Sequence, residues 1–141
     1  MQGKIVVAGI KFHGHHGLTR IEREIGVRYS VDVEMACDIA ARVEKERGPS
    51  CAVVSVHTLK PLDRAGVADI LRAFGRVVVI EEHAPFGGLG PQVKQIAWEI
   101  QAPCRLDAFS LKDEFIHVYG SHADLLKAHG LDSELIYRQL F

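Results

Sequence analysis

Four consecutive β-branched residues, Val77, Val78, Val79 and Ile80, set the tightest limit on how this chain folds. A strand with one wet face alternates apolar and polar side chains. A strand that is apolar at every position needs cover on both faces. Residues 51–56, CAVVSV, read the same way. Between and after these runs the pattern turns helical. Residues 64–74 form a short helix opened by Pro61 and ended by Gly75. Beyond GGLG, Pro91 starts a helix with Val93, Ile96, Ala97 and Ile100 on one face, and residues 105–111 give another strand. Helices over 122–129 and 133–140 close the chain. Strand–helix alternation predicts an α/β fold, a mostly parallel sheet with helices on both faces.

The amino-terminal third has a different pattern. Residues 4–13 are rich in β-branched side chains, and residues 27–35 alternate, with Tyr29, Val31, Val33 and Met35 on one face and Ser30, Asp32 and Glu34 on the other. The segment between them, GHHGLTRIEREIG, opens and closes on glycine. These features predict an antiparallel β-hairpin, which is marginal alone and needs cover on its apolar face. Asp38 is the expected N-cap of a helix through Arg47, stopped by Gly48 and Pro49.

Composition narrows the function classes. A chain of 141 residues with 48% hydrophobic and 25% charged content is expected to fold as a single domain over residues 1–141. A net charge of −1 and the absence of a basic stripe argue against nucleic acid as a partner. No apolar run approaches the roughly 18 residues of a membrane span, and no leader is expected. Cys37, Cys51 and Cys104 are widely spaced and never CxxC, so buried thiols in a reducing cytoplasm are the expectation. His13 and His15 would share one side of a strand, the spacing of a paired metal site, yet further ligands have no evident source. Neither metal nor cofactor is expected.

Glu81, Glu82 and His83 end the strongest strand, where α/β sheets place their sites. The glycines of GGLG before Pro91 offer backbone amides to an anion, but a tight turn feeding a helix explains the same glycines and is the favoured reading.

Two resemblances follow from these motifs. Gly9, Phe12, Gly14-His15-His16-Gly17 and Glu22-Arg23-Glu24-Ile25-Gly26 resemble the amino-terminal strand pair of dihydroneopterin aldolases, over about residues 1–38. That resemblance implies that Glu22 is the acidic residue of an aldolase site. The family's later pterin-anchoring glutamate and catalytic lysine have no counterpart after Asp38. Residues VSVHTLKPLD, VVIEEHAPFGGLG and the ending from Gly120-Ser121 to Gly130-Leu131-Asp132 resemble the carboxy-terminal domain of transketolase and related thiamine-diphosphate enzymes, over about residues 40–141. That family handles cofactor and substrate mainly in two preceding domains.

The expectation is therefore a non-catalytic module, residues 39–141 with the hairpin of residues 1–38 attached. It would form a homo-oligomer or dock on thiamine-diphosphate enzyme subunits. If the chain is active, the resemblances imply an aldolase on 7,8-dihydroneopterin, in folate synthesis, or part of a transketolase-type transferase. A recombined or engineered fusion without evolved function is the third alternative. The second hairpin strand, running into the helix of residues 39–47, is expected to supply the first strand of the sheet, with the preceding strand antiparallel beside it.

Overall fold

The computed structural model describes residues 5–9, 12–14, 27–29 and 31–141, with side chains from residue 34 onward. Its elements run β1 (Ile5–Gly9), β2 (Phe12–Gly14), β3 (Val27–Tyr29), α1 (Val31–Arg47), β4 (Cys51–Ser55), α2 (Arg64–Ala73), β5 (Arg76–Ile80), α3 (Leu89–Glu99), β6 (Arg105–Phe109), α4 (His122–Ala128) and α5 (Ser133–Leu140). Four strands form one sheet in the order β4-β1-β5-β6, every neighbour parallel. β2 and β3 make a separate antiparallel pair, Phe12 opposite Tyr29 and Gly14 opposite Val27.

Successive residues of β5 feed opposite faces, as the pleat requires. Val78 and Ile80 join Ala36, Ile39 and Val43 of α1 and Ile136, Tyr137 and Leu140 of α5 in one core. Val77 and Val79 join Val67, Ala68 and Leu71 of α2 and Leu89, Val93 and Ile96 of α3 in the other. Each fully buried aliphatic side chain contributes about 1.5–3 kcal/mol, so these two layers hold the sheet between them.

Three expectations about the amino-terminal third are corrected. The sheet takes its first strand from Ile5–Gly9, at the centre between β4 and β5, and not from residues 27–35. The apolar run IVVA suits a strand covered on both sides. The hairpin pairing exists, but over β2 and β3 only, and the chain turns helical at Val31. The period of two at residues 27–35 misled because Met35, Ala36, Ile39, Ala40 and Val43 also recur at spacings of three and four. Packing against the sheet selected that helical stripe. Asp38 is consequently an exposed residue inside α1 and no N-cap.

Other boundaries moved little. Gly48, at φ +87°, ends α1 with its N–H on the Glu44 carbonyl. Helix α3 begins at Leu89, before Pro91, and β4 and β6 each stop one or two residues early. Side chains also tie α1 to α5. The Arg42 guanidinium stacks 3.8 Å from the Tyr137 ring centre and pairs with Glu134 and Glu46. The Tyr137 hydroxyl donates to Glu46 Oε2 at 2.7 Å.

Candidate functional site

The crossovers run in opposite directions on either side of β1, so the carboxyl ends of β1 and β5 flank the switch point of the sheet. There β5 delivers Glu81, 1% exposed and the only buried charged or polar residue among those described. Its backbone N–H donates to the Phe109 carbonyl at 3.0 Å, holding the strand in the sheet one residue further. Its carboxylate turns toward the start of α3, accepting from the Leu89 N–H at 2.7 Å and the Gly90 N–H at 2.8 Å.

Helix starts leave unpaired N–H groups and partial positive charge, and a carboxylate answers both. The amides that GGLG offers are thus taken from within the chain, and the favoured reading of its glycines, a tight turn feeding a helix, describes this segment. The glycines serve that approach. A Cβ on Gly88 would lie 2.1 Å from Glu81 Oε2, and one on Gly90 would lie 2.9 Å from Oε1. Gly87, at φ +74°, makes the turn before them.

The next two residues brace the same edge. Glu82 Oε1 lies 2.6 Å from His122 Nε2, linking β5 to the first residue of α4. The Ser121 hydroxyl caps α4 at the Asp124 N–H, and the Asp124 carboxylate accepts from the Ser121 N–H at 2.9 Å. The Ser121 hydroxyl, and then its N–H, hold the Asp124 carboxyl below its usual range. The His83 ring Nδ1 lies 2.8 Å from the Ala84 carbonyl, and the His83 carbonyl accepts from the Leu111 N–H at 2.9 Å. Lys112 closes the loop onto α4, its N–H on His129 Nδ1 and its ammonium on the Ala128 carbonyl, both 3.1 Å. Glu81, Glu82 and His83 are therefore gathered at one edge, each engaged in structural bonds.

The loops after β5 and β6 carry large apolar side chains into solvent. Phe86 is 67% exposed, Phe115 is 94% exposed, and Val118 and Tyr119 beside it are also open. Sequence reasoning passed over residues 115–119 because an aromatic run in a loop has no period to read. It passed over His122 because its partner lies forty residues upstream.

Glu22, His15 and His16 lie outside the described residues, and of His13 only the backbone in β2 is described. Among the described residues no group of three or more His, Cys, Asp or Glu side chains is placed to hold a metal ion. No helix among them is long and apolar enough to cross a membrane. All three cysteines are free. Contrary to expectation Cys37 is exposed, while Cys51 and Cys104 are half-buried. Burial pushes both half-buried thiols up, the Glu44 carboxylate adding to the effect at Cys51.

The family described as "Transketolase, C-terminal domain" matches residues 27–136. An apulose-4-phosphate transketolase subunit of Phocaeicola vulgatus is 31% identical over 90 residues, 64% of this chain and 28% of that protein. A 1-deoxy-D-xylulose-5-phosphate synthase of Bacillus licheniformis is 32% identical over 79% of this chain and 18% of its own length. The beta subunit of the pyruvate dehydrogenase E1 component of Rickettsia bellii is 36% identical over 50% of this chain and 21% of its own. The chain spans less than a third of each of these relatives. Among solved structures, a split-gene transketolase described as an inactive beta4 tetramer superimposes with a TM-score of 0.71 at 26% identity, over 97% of this chain and 37% of that one.

Proposed function

Because the chain belongs to the transketolase C-terminal-domain family, we propose that it is a non-catalytic module that docks on thiamine-diphosphate-binding enzyme subunits and self-associates. The observation carrying this reading is the exposure of Phe86, Phe115, Val118 and Tyr119 on the loops after β5 and β6. Large apolar side chains exposed in loops are the usual anchors of a protein interface. At the carboxyl end of β5, Glu81 already fills the amides that would otherwise take a phosphate, so this helix start contributes stability and no ligand site. Relatives named as subunits, and a solved neighbour named as a tetramer, support the same reading. Size-exclusion chromatography of the protein mixed with a transketolase-type thiamine-diphosphate enzyme subunit tests it. Co-elution is expected, and separate elution at micromolar concentrations of both would count against it.

A second reading rests on the antiparallel pairing of β2 with β3, which lies within the stretch resembling dihydroneopterin aldolases. On that reading Glu22 acts as the catalytic acid or base at a site completed by other copies of the chain. Cleavage of 7,8-dihydroneopterin by the pure protein, abolished in Glu22→Gln, would establish it in place of the first.

A further inference from the structure

Helix α3 leaves the carboxyl end of β5 and finishes where β6 begins, and β5 and β6 run parallel. Its last turn therefore lies at the opposite end of the sheet from the exposed apolar loops. There Trp98, the single tryptophan of the chain, stands 85% exposed. Neither core layer uses it. It forms one wall of a groove of about 920 Å³ beside α3 and the start of β6, a volume in the range of small-molecule sites.

The groove combines an apolar bed with a positive charge. Ala97, Ala102 and Leu106, all half-buried, line it with small aliphatic surface. Lys94, one turn before Trp98 on the same helix face, also lines it. Its ammonium makes no hydrogen bond or ion pair among the described residues. The acidic lining residue, Glu99, is already answered. Arg64 pairs with it, and the Gln95 amide donates to its Oε1 at 2.9 Å. The uncompensated charge at the groove is therefore positive.

Gln101 completes the lining from a backbone conformation that glycine usually takes. Its φ is +50°, the only positive value on a non-glycine among the described residues. The Gln101 N–H reaches the Trp98 carbonyl at 3.2 Å, and the Ala102 N–H reaches the Ala97 carbonyl at 2.9 Å, so the turn is held. A side chain in this conformation is strained, and such strain collects at binding sites. Here it brings a carboxamide, donor and acceptor together, to the groove.

We propose that this groove binds a small, flat aromatic anion. The ring stacks on the Trp98 indole above the aliphatic bed, the anionic group pairs with Lys94, and Gln101 hydrogen-bonds the ligand. An aliphatic anion would leave the indole face in water, and a neutral arene would leave the ammonium unpaired. The two features together select the class. The site shares no residue with the docking loops and stands apart from the proposed function.

The single indole N–H gives one signal in a proton–nitrogen correlation spectrum, and that signal reports on this groove. Titrating the whole chain with 2-naphthoate should shift it saturably, with a dissociation constant of about 1 mM or tighter for so small a ligand. Naphthalene-2-methanol, which is neutral, and cyclohexanecarboxylate, which is not aromatic, should each bind about tenfold more weakly. Lys94→Gln should weaken 2-naphthoate about tenfold and Gln101→Gly about threefold. Gln101→Gly relieves the strained φ and should raise the unfolding temperature, so its weaker binding cannot come from a lost fold. Phe115→Ser/Tyr119→Ser should bind 2-naphthoate as the parent does. No shift up to about 10 mM overturns the site, as does equal binding of the three probes or indifference to both groove variants. A Trp98 signal that every probe leaves in place, but that a thiamine-diphosphate enzyme subunit broadens, makes this surface a protein contact and also overturns it.

Discussion

Glu81 and Gly90 meet at the carboxyl end of β5, with Glu81 Oε1 2.8 Å from the Gly90 N–H and no room for a Cβ between them. One carboxylate thereby fixes the turn from β5 into α3. Replacing it with an amide swaps an acceptor oxygen for an N–H₂ donor facing an N–H. Glu81→Gln should lower stability by about 1–3 kcal/mol, the cost of a buried unpaired polar group. Gly88→Ala should cost more than Gly90→Ala, because its Cβ would lie at 2.1 Å rather than 2.9 Å. Urea unfolding of the three variants measures the order.

Asp38 and Ile39 separate the two accounts of α1. As an N-cap, Asp38 would cost about 1 kcal/mol on conversion to alanine. As an exposed residue inside the helix it should change stability by less than about 0.5 kcal/mol. Ile39, 1% exposed against β5 and α5, should cost about 2–5 kcal/mol as Ile39→Ala.

The clamp between α1 and α5 should give way in acid. The Arg42 guanidinium, and then that of Arg138, hold the Glu134 carboxyl below its usual value; the Tyr137 hydroxyl, and then Arg42, do so for Glu46. A carboxyl depressed in the folded state contributes stability that is full above its unfolded value and is lost as pH falls through its folded one. Chemical unfolding should therefore show stability declining below about pH 4.5, the usual value for both. In Arg42→Met that decline should be shallower. An identical pH profile in the variant would remove the clamp from the explanation.

The position of β1 is open to direct measurement. Flanked by β4 and β5, the amides of Val6, Val7 and Ala8 should exchange among the slowest in the protein. Exchange at the rate of an edge strand would restore the expected arrangement, in which this strand lies antiparallel beside residues 27–35 at the side of the sheet.

How much of this was legible follows the physics of each segment. Val77–Ile80, apolar at every position, could only be a strand covered on both faces, and the parallel sheet with two helical layers followed from it. Residues 27–35 were not decidable locally. VRYSVDVEM satisfies a period of two, and its continuation through Ile39 and Val43 satisfies one of 3.6. Only packing on a sheet whose first strand had already been supplied by IVVA chose between them. At the edge of the sheet, the glycines of GGLG announced a helix start with free amides. That the anion is Glu81, seven residues before Gly88, is a tertiary fact without a sequence period.

Sedimentation velocity of the chain with a transketolase-type thiamine-diphosphate enzyme subunit reads out docking through the exposed apolar loops after β5 and β6. Phe115 and Tyr119 are almost fully solvated, so Phe115→Ser/Tyr119→Ser should leave thermal stability within about 0.5 kcal/mol of the parent. The expected result is a faster-sedimenting complex with the parent chain, weakened at least tenfold by the double variant. No complex with the parent chain would contradict docking, and 7,8-dihydroneopterin turnover that disappears in Glu22→Gln would establish the second reading in its place.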